Sequence, residues 1–193
     1  MLSLSHKGTI KLETERLLLR RFVIADANDV FENWANDAEV TKYLTWQPHK
    51  NSAVTRQRLS SWEQRYKNPT FYSWAIVPKD FGKVIGSISI IGLHEKNLRA
   101  EVVYCLSKAF WGQGIMTEAL KKVIEFMFTE VNINRLQAKH YSDNIASGKV
   151  MLKVGMKYEG TLRQSAINNS GQLVDNKVYA ILKEEYLQKE NSF

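Results

Sequence analysis

The most regular hydrophobic pattern of the chain lies in its second half and has the period of an α-helix. Apolar side chains recur there at spacings of three and four residues, which places them on one helical face. They are Met116, Ala119, Leu120, Val123, Ile124, Met127, Phe128 and Val131. The pattern predicts a long amphipathic helix over residues 116–131.

Two further helices are predicted in the first third of the chain. Asp26 can cap the first of them, and its apolar residues share one face. These residues are Ala27, Val30, Phe31, Trp34 and Ala38. The second helix covers residues 52–66, before Asn68-Pro69 ends it. Its inward side chains are expected to be Val54, Leu59, Trp62 and Tyr66.

Short apolar runs bounded by turn residues predict the strands. The runs cover residues 17–22, 71–77, 84–91, 100–106, 135–141, 156–165 and 174–182. The second to fourth form an antiparallel meander, and the last two form a hairpin. A short helix capped by Asp143 or Asn144 ends at Gly155. The order β-α-α-β-β-β-α-β-α-β-β predicts an α/β sandwich around one mixed sheet, with a right-handed parallel crossover through the long helix.

The size and composition of the chain fit one globular domain over residues 1–193, with residues 1–8 as a flexible tail. Of the 193 residues, 44% are apolar and 24% are charged. No run approaches the roughly 18 apolar residues that cross a bilayer, and the N-terminus lacks the apolar core of a secretory signal. The single cysteine, Cys105, cannot form an internal disulfide. A cytoplasmic protein that does not bind membranes is therefore expected.

The formal net charge is +7, from 27 basic and 20 acidic residues. A positive charge of this size is compatible with binding to nucleic acid, ribosomes or an acidic metabolite, and equally with a surface that is only solvated. The basic residues are dispersed, apart from short clusters such as Arg20-Arg21, and no zinc-finger spacing or basic heptad region occurs. We therefore expect no direct binding to nucleic acid, although a phosphate-rich cofactor would account for part of the excess.

The segment 111–119 connects a predicted strand to the long helix and carries two glycines, Gly112 and Gly114. A glycine turn at a helix start presents unpaired backbone N–H groups at the positive end of the helix dipole, which suits phosphate oxygens. A Rossmann fingerprint needs a third glycine where Thr117 stands. A P-loop needs Ser or Thr after Gly-Lys, and both Gly-Lys pairs, at 82–83 and 148–149, precede valine. Acyl-coenzyme A is the third candidate.

Four groups of motifs, in order along nearly the whole chain, resemble those of GNAT N-acetyltransferases of the RimJ/RimL type, which acetylate ribosomal-protein N-termini. They are LETERLLLR at 12–20, GSI at 86–88 with AEVVY at 100–104, FWGQG at 110–114 with TEA at 117–119, and NIAS at 144–147 with KVGMKYEG at 153–160. Trp111 and Met116 depart from the residues common in the wider family. Met116 is compatible with a phosphate turn, because backbone amides rather than side chains would bind.

The resemblance implies a mixed, mostly antiparallel sheet of about seven strands, flanked by about four helices and splayed between the fourth and fifth strands. Acetyl-CoA, the co-substrate, would place its pantetheine arm in the splay and its diphosphate on the glycine turn. The binding residues implied are Val103, Tyr104, Cys105, Leu106, Trp111, Gly112, Gln113, Gly114, Ile115, Met116, Thr117, Asn144, Ser147 and Lys149. Lys153 also lies within reach of phosphates, with a solvated helix face as the alternative for both lysines.

The chemistry implied by the resemblance is direct attack of a neutral amine on the thioester in a ternary complex. An amide N–H of the strand at 101–106 would stabilise the oxyanion. Glu159 matches the position of the base in the resembled branch, and Glu101 is the other candidate; either needs a pKa raised by burial. Many relatives carry a tyrosine acid where Met151 stands. Ser147 is therefore the candidate proton donor, or it only bonds to the helix backbone or coenzyme A.

The remaining reactive residues are expected to pack or to lie on the surface. Cys105 sits mid-strand among apolar neighbours, as a buried inert thiol does. The four histidines lack ligand spacing, so no metal is expected. Of these, His140 lies near the implied acetyl pocket, where it either packs or touches substrate. Three aromatic residues either line the acceptor pocket or belong to the core: Tyr43, Trp46 and Trp74.

The identity of the acceptor stays open between protein N-termini, small polyamines and amine antibiotics. Two other classes of function compete with the enzyme. One is a non-catalytic acyl-CoA-binding regulatory module, and the other is a basic nucleic-acid-associated protein. The oligomeric state is expected to be a monomer or a homodimer.

Overall fold

The computed structural model describes residues 3–190, which form one eight-stranded sheet with helices on both faces. The strands are β1 (Leu12–Glu13), β2 (Leu17–Arg20), β3 (Tyr72–Pro78), β4 (Gly86–His94), β5 (Arg99–Leu106), β6 (Arg135–Tyr141), β7 (Lys157–Ile167) and β8 (Leu173–Leu182). The helices are α1 (Ala27–Val30), α2 (Ala38–Thr41), α3 (Ser52–Arg65), α4 (Ile115–Thr129), α5 (Ile145–Lys153) and α6 (Lys183–Glu190).

The strand order across the sheet is β1-β2-β3-β4-β5-β6-β8-β7. Neighbouring strands are antiparallel except β5 and β6, which are parallel and connected through α4. The predicted mixed sheet, the β3–β5 meander, the parallel crossover and the terminal hairpin are thus confirmed. Two elements were missed. β1 has two residues, and α6 carries only two apolar residues, so neither has a hydrophobic pattern to recognise.

Two apolar clusters fill the two sides of the sheet. The larger lies under α4, which buries nine of its fifteen residues. Because strand side chains alternate between faces, Val102 and Leu106 of β5 belong to this cluster, whereas Cys105 packs against the other one. The smaller cluster lies under α1–α3, with Trp34 and Leu59 among its buried side chains. The face of α4 and the face of α1–α3 are therefore distinct surfaces of one sheet.

The predicted continuous helix after Asp26 is wrong. Residues 24–41 form a 3-10 turn, α1, a π turn at Phe31–Ala35 and α2, and Ala38 is exposed. Asp26 does not cap α1, because its carboxylate is buried and accepts two hydrogen bonds from Arg20, at 2.7 and 2.8 Å. At the π turn, the Ala35 carbonyl accepts the N–H of His49 (2.7 Å). Contacts with distant residues thus replace the bonds that would extend one helix.

Two smaller expectations also change. Val54 is exposed rather than inward, and Thr55 takes the buried place, with its hydroxyl 2.7 Å from His49 Nδ1. Part of the segment 1–8, expected to be a flexible tail, is bonded to the sheet region. The Ser5 N–H donates to Val131 and the Gly8 N–H to Pro69, both at 2.9 Å. Met1 and Leu2 lie outside the described residues.

Candidate active site

The first feature of the site is a gap between β5 and β6. Their pairing covers only Arg99–Arg135, Ala100–Leu136 and Glu101–Gln137. Beyond these pairs β5 continues against β4 as far as Leu106, and β6 continues against β8 as far as Tyr141. The two parallel strands therefore separate, and the predicted splay is confirmed.

The gap exposes hydrogen-bonding backbone on β5. The Ser107 N–H donates to Ile85 in the β4 direction at 2.8 Å. Because backbone groups alternate sides along a strand, Val103 and Cys105 also pair with β4, whereas the backbone groups of Tyr104 and Leu106 face the gap. The Leu106 carbonyl accepts the indole N–H of Trp111 at 2.8 Å. Of the four β5 residues implied in binding, two therefore direct backbone groups to the gap.

The second feature is the glycine turn that begins α4. Gly114 is the N-cap, with φ +78° and no side-chain bond to the helix, so the first-turn N–H groups of Ile115, Met116 and Thr117 are left for another acceptor. The Gln113 side chain donates to the Ala109 carbonyl at 2.9 Å and shapes the turn. Ile115 and Met116 bury their side chains. The turn thus offers backbone amides to an anion, as the sequence predicts.

A cavity of about 370 Å³ adjoins this turn. Its lining residues are Thr14, Glu15, Gly114, Thr117, Glu118, Lys121 and Lys153. Two of the predicted binding residues, Gly114 and Thr117, are among them. The α5 lysine that lines the cavity is Lys153, whereas Lys149 is exposed on the same helix and does not line it. Lys121 and Lys153 thus place two ammonium groups in the lining of the cavity beside the start of α4.

Three residues brace the glycine turn against the β1–β2 connection. The Glu118 carboxylate accepts the Thr14 hydroxyl (2.6 Å), the Arg16 backbone N–H (3.0 Å) and the Arg16 guanidinium (2.6 Å). Arg16 also donates to the Gln113 carbonyl at 3.2 Å. Burial would raise the pKa of Glu118, but these hydrogen bonds outweigh it and the pKa is lowered. Sequence reasoning missed this brace, although its members lie in two of the recognised motifs.

The third feature lies at the start of α5. Asn144 is the N-cap, and its side-chain oxygen accepts the Ser147 N–H at 3.3 Å. The Tyr104 hydroxyl of β5 is 3.0 Å from Ser147 Oγ and donates to the Ser147 carbonyl at 3.1 Å. Burial raises the pKa of this phenol. The sequence singled out the Tyr104 backbone but not its hydroxyl.

The two candidate glutamates lie on the opposite face of the sheet, in different settings. Glu101 accepts a hydrogen bond from Gln137 (2.7 Å) and pairs with Lys139 (2.8 Å), and its side chain is 16% exposed. Glu159 is 41% exposed and receives both arms of the Arg135 guanidinium, one at 2.6 Å. Those bonds lower the pKa of Glu159. The predicted base role of Glu159 requires a raised pKa, and its surroundings lower that pKa instead.

The end of β6 carries buried polar atoms without hydrogen-bond partners among the described residues. They are His140 Nε2, the Tyr141 hydroxyl and Ser142 Oγ. Buried polar groups normally have partners, and these three atoms lie beyond the last residue of β6 that pairs with β5. The His140 ring stacks on Tyr179 with the ring centroids 5.5 Å apart, which supports the packing role of the two that the sequence left open. Burial raises the pKa of Cys105, as an inert thiol requires.

Within residues 3–190, no group of three His, Cys, Asp or Glu side chains is placed to hold a metal ion. No helix in the same range is long and apolar enough to span a bilayer.

A parallel strand pair that separates beside an anion-binding helix start defines a class of acyl-CoA-dependent transferases, and comparison with known proteins identifies the family. Residues 16–157 match the model of the GNAT acetyltransferase domain. The chain belongs to the GNAT acetyltransferase family, in its RimJ/RimL-like branch, and is an N-acetyltransferase that uses acetyl-CoA.

Individual relatives agree with this assignment. The chain is 33% identical to the uncharacterized N-acetyltransferase YoaA of Bacillus subtilis, over 89% of this chain and 96% of the relative. It is 24% identical to the [ribosomal protein uS5]-alanine N-acetyltransferase of Escherichia coli, over 81% and 82% of the two chains. The crystal structure of the microcin C7 self-immunity acetyltransferase MccE with acetyl-CoA and AMP superposes with a TM-score of 0.77 at 25% identity, covering 88% and 93%.

Proposed function

We propose that this enzyme transfers the acetyl group of acetyl-CoA to the free amine of a protein N-terminus. The observation that carries the proposal is the gap between β5 and β6, which has the amides of α4 on one side and Glu101 on the other. The relative from Escherichia coli that acts on an N-terminal alanine supports this acceptor class. Small amines are the alternative acceptors.

The residues around the gap suit acetyl-CoA. Its diphosphate would lie on the amides from Gly112 to Thr117, with Lys153 as a counter-charge. Its pantetheine arm would pair with the gap-facing backbone of Tyr104 and Leu106, as a neighbouring strand does. Once bound, acetyl-CoA supplies a thioester whose carbonyl carbon accepts the amine.

Glu101 is the better placed base. It lies at the last residue pair before the strands separate, on the face opposite α4, where an acceptor can reach the thioester from the other side of the sheet. Gln137 and Lys139 hold its carboxylate in place. Glu101 takes the proton that the amine loses. Glu159, bound by Arg135 near the other end of the pairing, is the second candidate.

Ser147 is the proposed proton donor to the departing sulfur. Its hydroxyl lies on the first turn of α5 and is held beside β5 by Tyr104. The position that carries tyrosine in many relatives is Met151, whose side chain is buried in the core. Among the described residues of this helix turn, Ser147 is the hydroxyl that contacts β5.

The experiment is acetyl transfer to a panel of amines, followed by thiol release and by mass spectrometry of the product. The panel contains a peptide with a free N-terminal alanine, the same peptide with a blocked N-terminus and one internal lysine, spermidine and an aminoglycoside. We expect a mass increase of one acetyl group at the free N-terminus and none on the blocked peptide. Turnover of spermidine or the aminoglycoside alone would overturn the acceptor class. Coenzyme A binding without turnover on any amine would favour a regulatory module.

A further inference from the structure

The contact between Tyr104 and Ser147 connects the two elements that border the gap. Tyr104 lies on β5 beyond the last residue paired with β6, and its side chain is directed to the face of α4 and α5. Its hydroxyl meets both polar groups of Ser147, the carbonyl at 3.1 Å and Oγ at 3.0 Å. One phenol thus holds the side chain and the backbone of the same serine.

Ser147 is fixed from a second direction by the cap of its helix. The Asn144 side chain accepts the Ser147 N–H at 3.3 Å, which holds the serine backbone but leaves the hydroxyl free to rotate about the Cα–Cβ bond. A free serine hydroxyl has three staggered positions. The Tyr104 hydroxyl, 3.0 Å from Ser147 Oγ, selects one of them.

We infer that Tyr104 is a positioning residue: its hydroxyl orients Ser147 Oγ for protonation of the departing sulfur. The inference rests on the proposed role of Ser147 as proton donor. Burial raises the pKa of this phenol, which favours the protonated form that donates the hydrogen bond.

The proton transfers balance for a neutral amine. The nitrogen loses one proton to Glu101, and Ser147 gives its hydroxyl proton to sulfur as the carbon–sulfur bond breaks. Tyr104 keeps its own proton, and its hydroxyl turns from the Ser147 carbonyl to donate a hydrogen bond to Ser147 Oγ as that oxygen becomes electron-rich. Glu101 then releases its proton to solvent, and a solvent proton restores Ser147.

The test is a double-mutant cycle of Tyr104→Phe, Ser147→Ala and the pair, with the alanine-terminated peptide as acceptor. We expect Tyr104→Phe to lower kcat about tenfold, the size of one oriented hydrogen bond. Ser147→Ala should lower kcat about 100-fold, a typical effect of losing a general acid. Adding Tyr104→Phe to Ser147→Ala should have no further effect, because the residue that Tyr104 orients is gone. The dissociation constant for coenzyme A, measured by calorimetry, should not change in Tyr104→Phe.

A change of leaving group separates orientation from general structural damage. In an acetyl selenoester of coenzyme A, selenium replaces the thioester sulfur. The leaving selenol is far more acidic than the thiol, so it departs without being protonated. With this donor, Tyr104→Phe should match the unmodified enzyme. Tyr66→Phe is the matched control, because the Tyr66 hydroxyl also bonds two groups, the Phe22 N–H (3.0 Å) and the Ser73 carbonyl (2.8 Å), but under α1–α3. It should lower the melting temperature and leave kcat unchanged.

Each remaining outcome has a distinct meaning. Full kcat in Tyr104→Phe, multiplicative losses in the double variant, or a loss that persists with the selenoester would overturn the positioning role and leave the proposed function intact. Full kcat in Ser147→Ala would overturn both this inference and the donor role. Absence of turnover in the unmodified enzyme would instead overturn the proposed function.

Discussion

The two faces of the sheet are covered in different ways. On one face α4 is a single helix of fifteen residues, and its glycine turn is shaped by bonds within residues 106–114 and by the brace from Arg16. On the other face, short helical segments meet the β7–β8 hairpin through contacts between distant residues. Asn169 donates to the Thr41 carbonyl at 3.0 Å, and Gln47 donates to the Asn169 carbonyl. The glycine turn that suits coenzyme A takes its shape from bonds within residues 106–114 and is then braced by Arg16 from a distant segment, whereas the helical segments of the proposed acceptor face meet the hairpin through contacts between distant residues.

The largest expected effect is on kcat, from a change on the acceptor face that should leave coenzyme A binding on the α4 face intact. Glu101→Gln should lower kcat about 100-fold or more, because a general base contributes about 10²–10⁴. The dissociation constant for coenzyme A should stay the same. The measurement is steady-state kinetics with the best amine of the panel, together with calorimetry.

Glu159→Gln is the paired variant, because it changes the same kind of side chain on the same face. Its loss of kcat should be much smaller, since Arg135 already binds this carboxylate and lowers its pKa. The reverse order of effects would assign the base to Glu159.

The second prediction concerns the backbone of the glycine turn. Gly114 has φ +78°, where a side chain costs roughly 1–2 kcal/mol. Gly114→Ala should therefore shift the turn and weaken coenzyme A binding about tenfold by calorimetry. Gly82→Ala is the control, since Gly82 has φ +69° in the β3–β4 turn and nothing within 4 Å of an added Cβ. Equal loss of coenzyme A affinity in both variants would show that strain alone, rather than the turn, is responsible.

The third prediction concerns the brace. Glu118→Gln should lower the free energy of unfolding by about 1 kcal/mol, a value already reduced for solvent screening of a partly exposed pair. The folded-state pKa of Glu118 is below its ordinary value of 4.5. The contribution is thus fully present above pH 4.5 and is lost as the pH falls through the lower folded-state pKa.

Denaturant titrations from neutral to acidic pH measure this loss. Glu125→Gln is the control on the same helix, because Glu125 forms an i, i+3 pair with Lys122 and its side chain is 46% exposed. A difference between Glu118→Gln and the unmodified protein that grows on acidification would contradict the sign.

The smallest expected effect compares two lysines on α5. Lys153 lines the cavity beside the glycine turn, and Lys149 does not. Lys153→Ala should weaken coenzyme A binding about threefold to fivefold, the range of a solvent-exposed charge contact, and the effect should shrink at high salt. Lys149→Ala should leave the affinity unchanged. Equal effects from the two variants would indicate a general charge effect of the helix rather than a contact.

The same contrast explains what the sequence could predict. The long helix, the meander and the glycine turn follow from periodicity and from glycine placement, which act within a few residues. The break of the first helix, the Glu118 brace and the Tyr104–Ser147 contact depend on residues brought together from distant segments, and no spacing in the chain encodes them. Glu159 shows the same limit. Its motif position was recognised, but the Arg135 partner that lowers its pKa lies 24 residues away on β6.

The three residue pairs between β5 and β6 have a mechanical consequence. Within the sheet, these pairs join the part that contains β1–β5 to the part that contains β6–β8. A molecule bound where the two strands separate would therefore set the angle between these two parts of the sheet. Coenzyme A would then be a structural spacer as well as an acyl carrier.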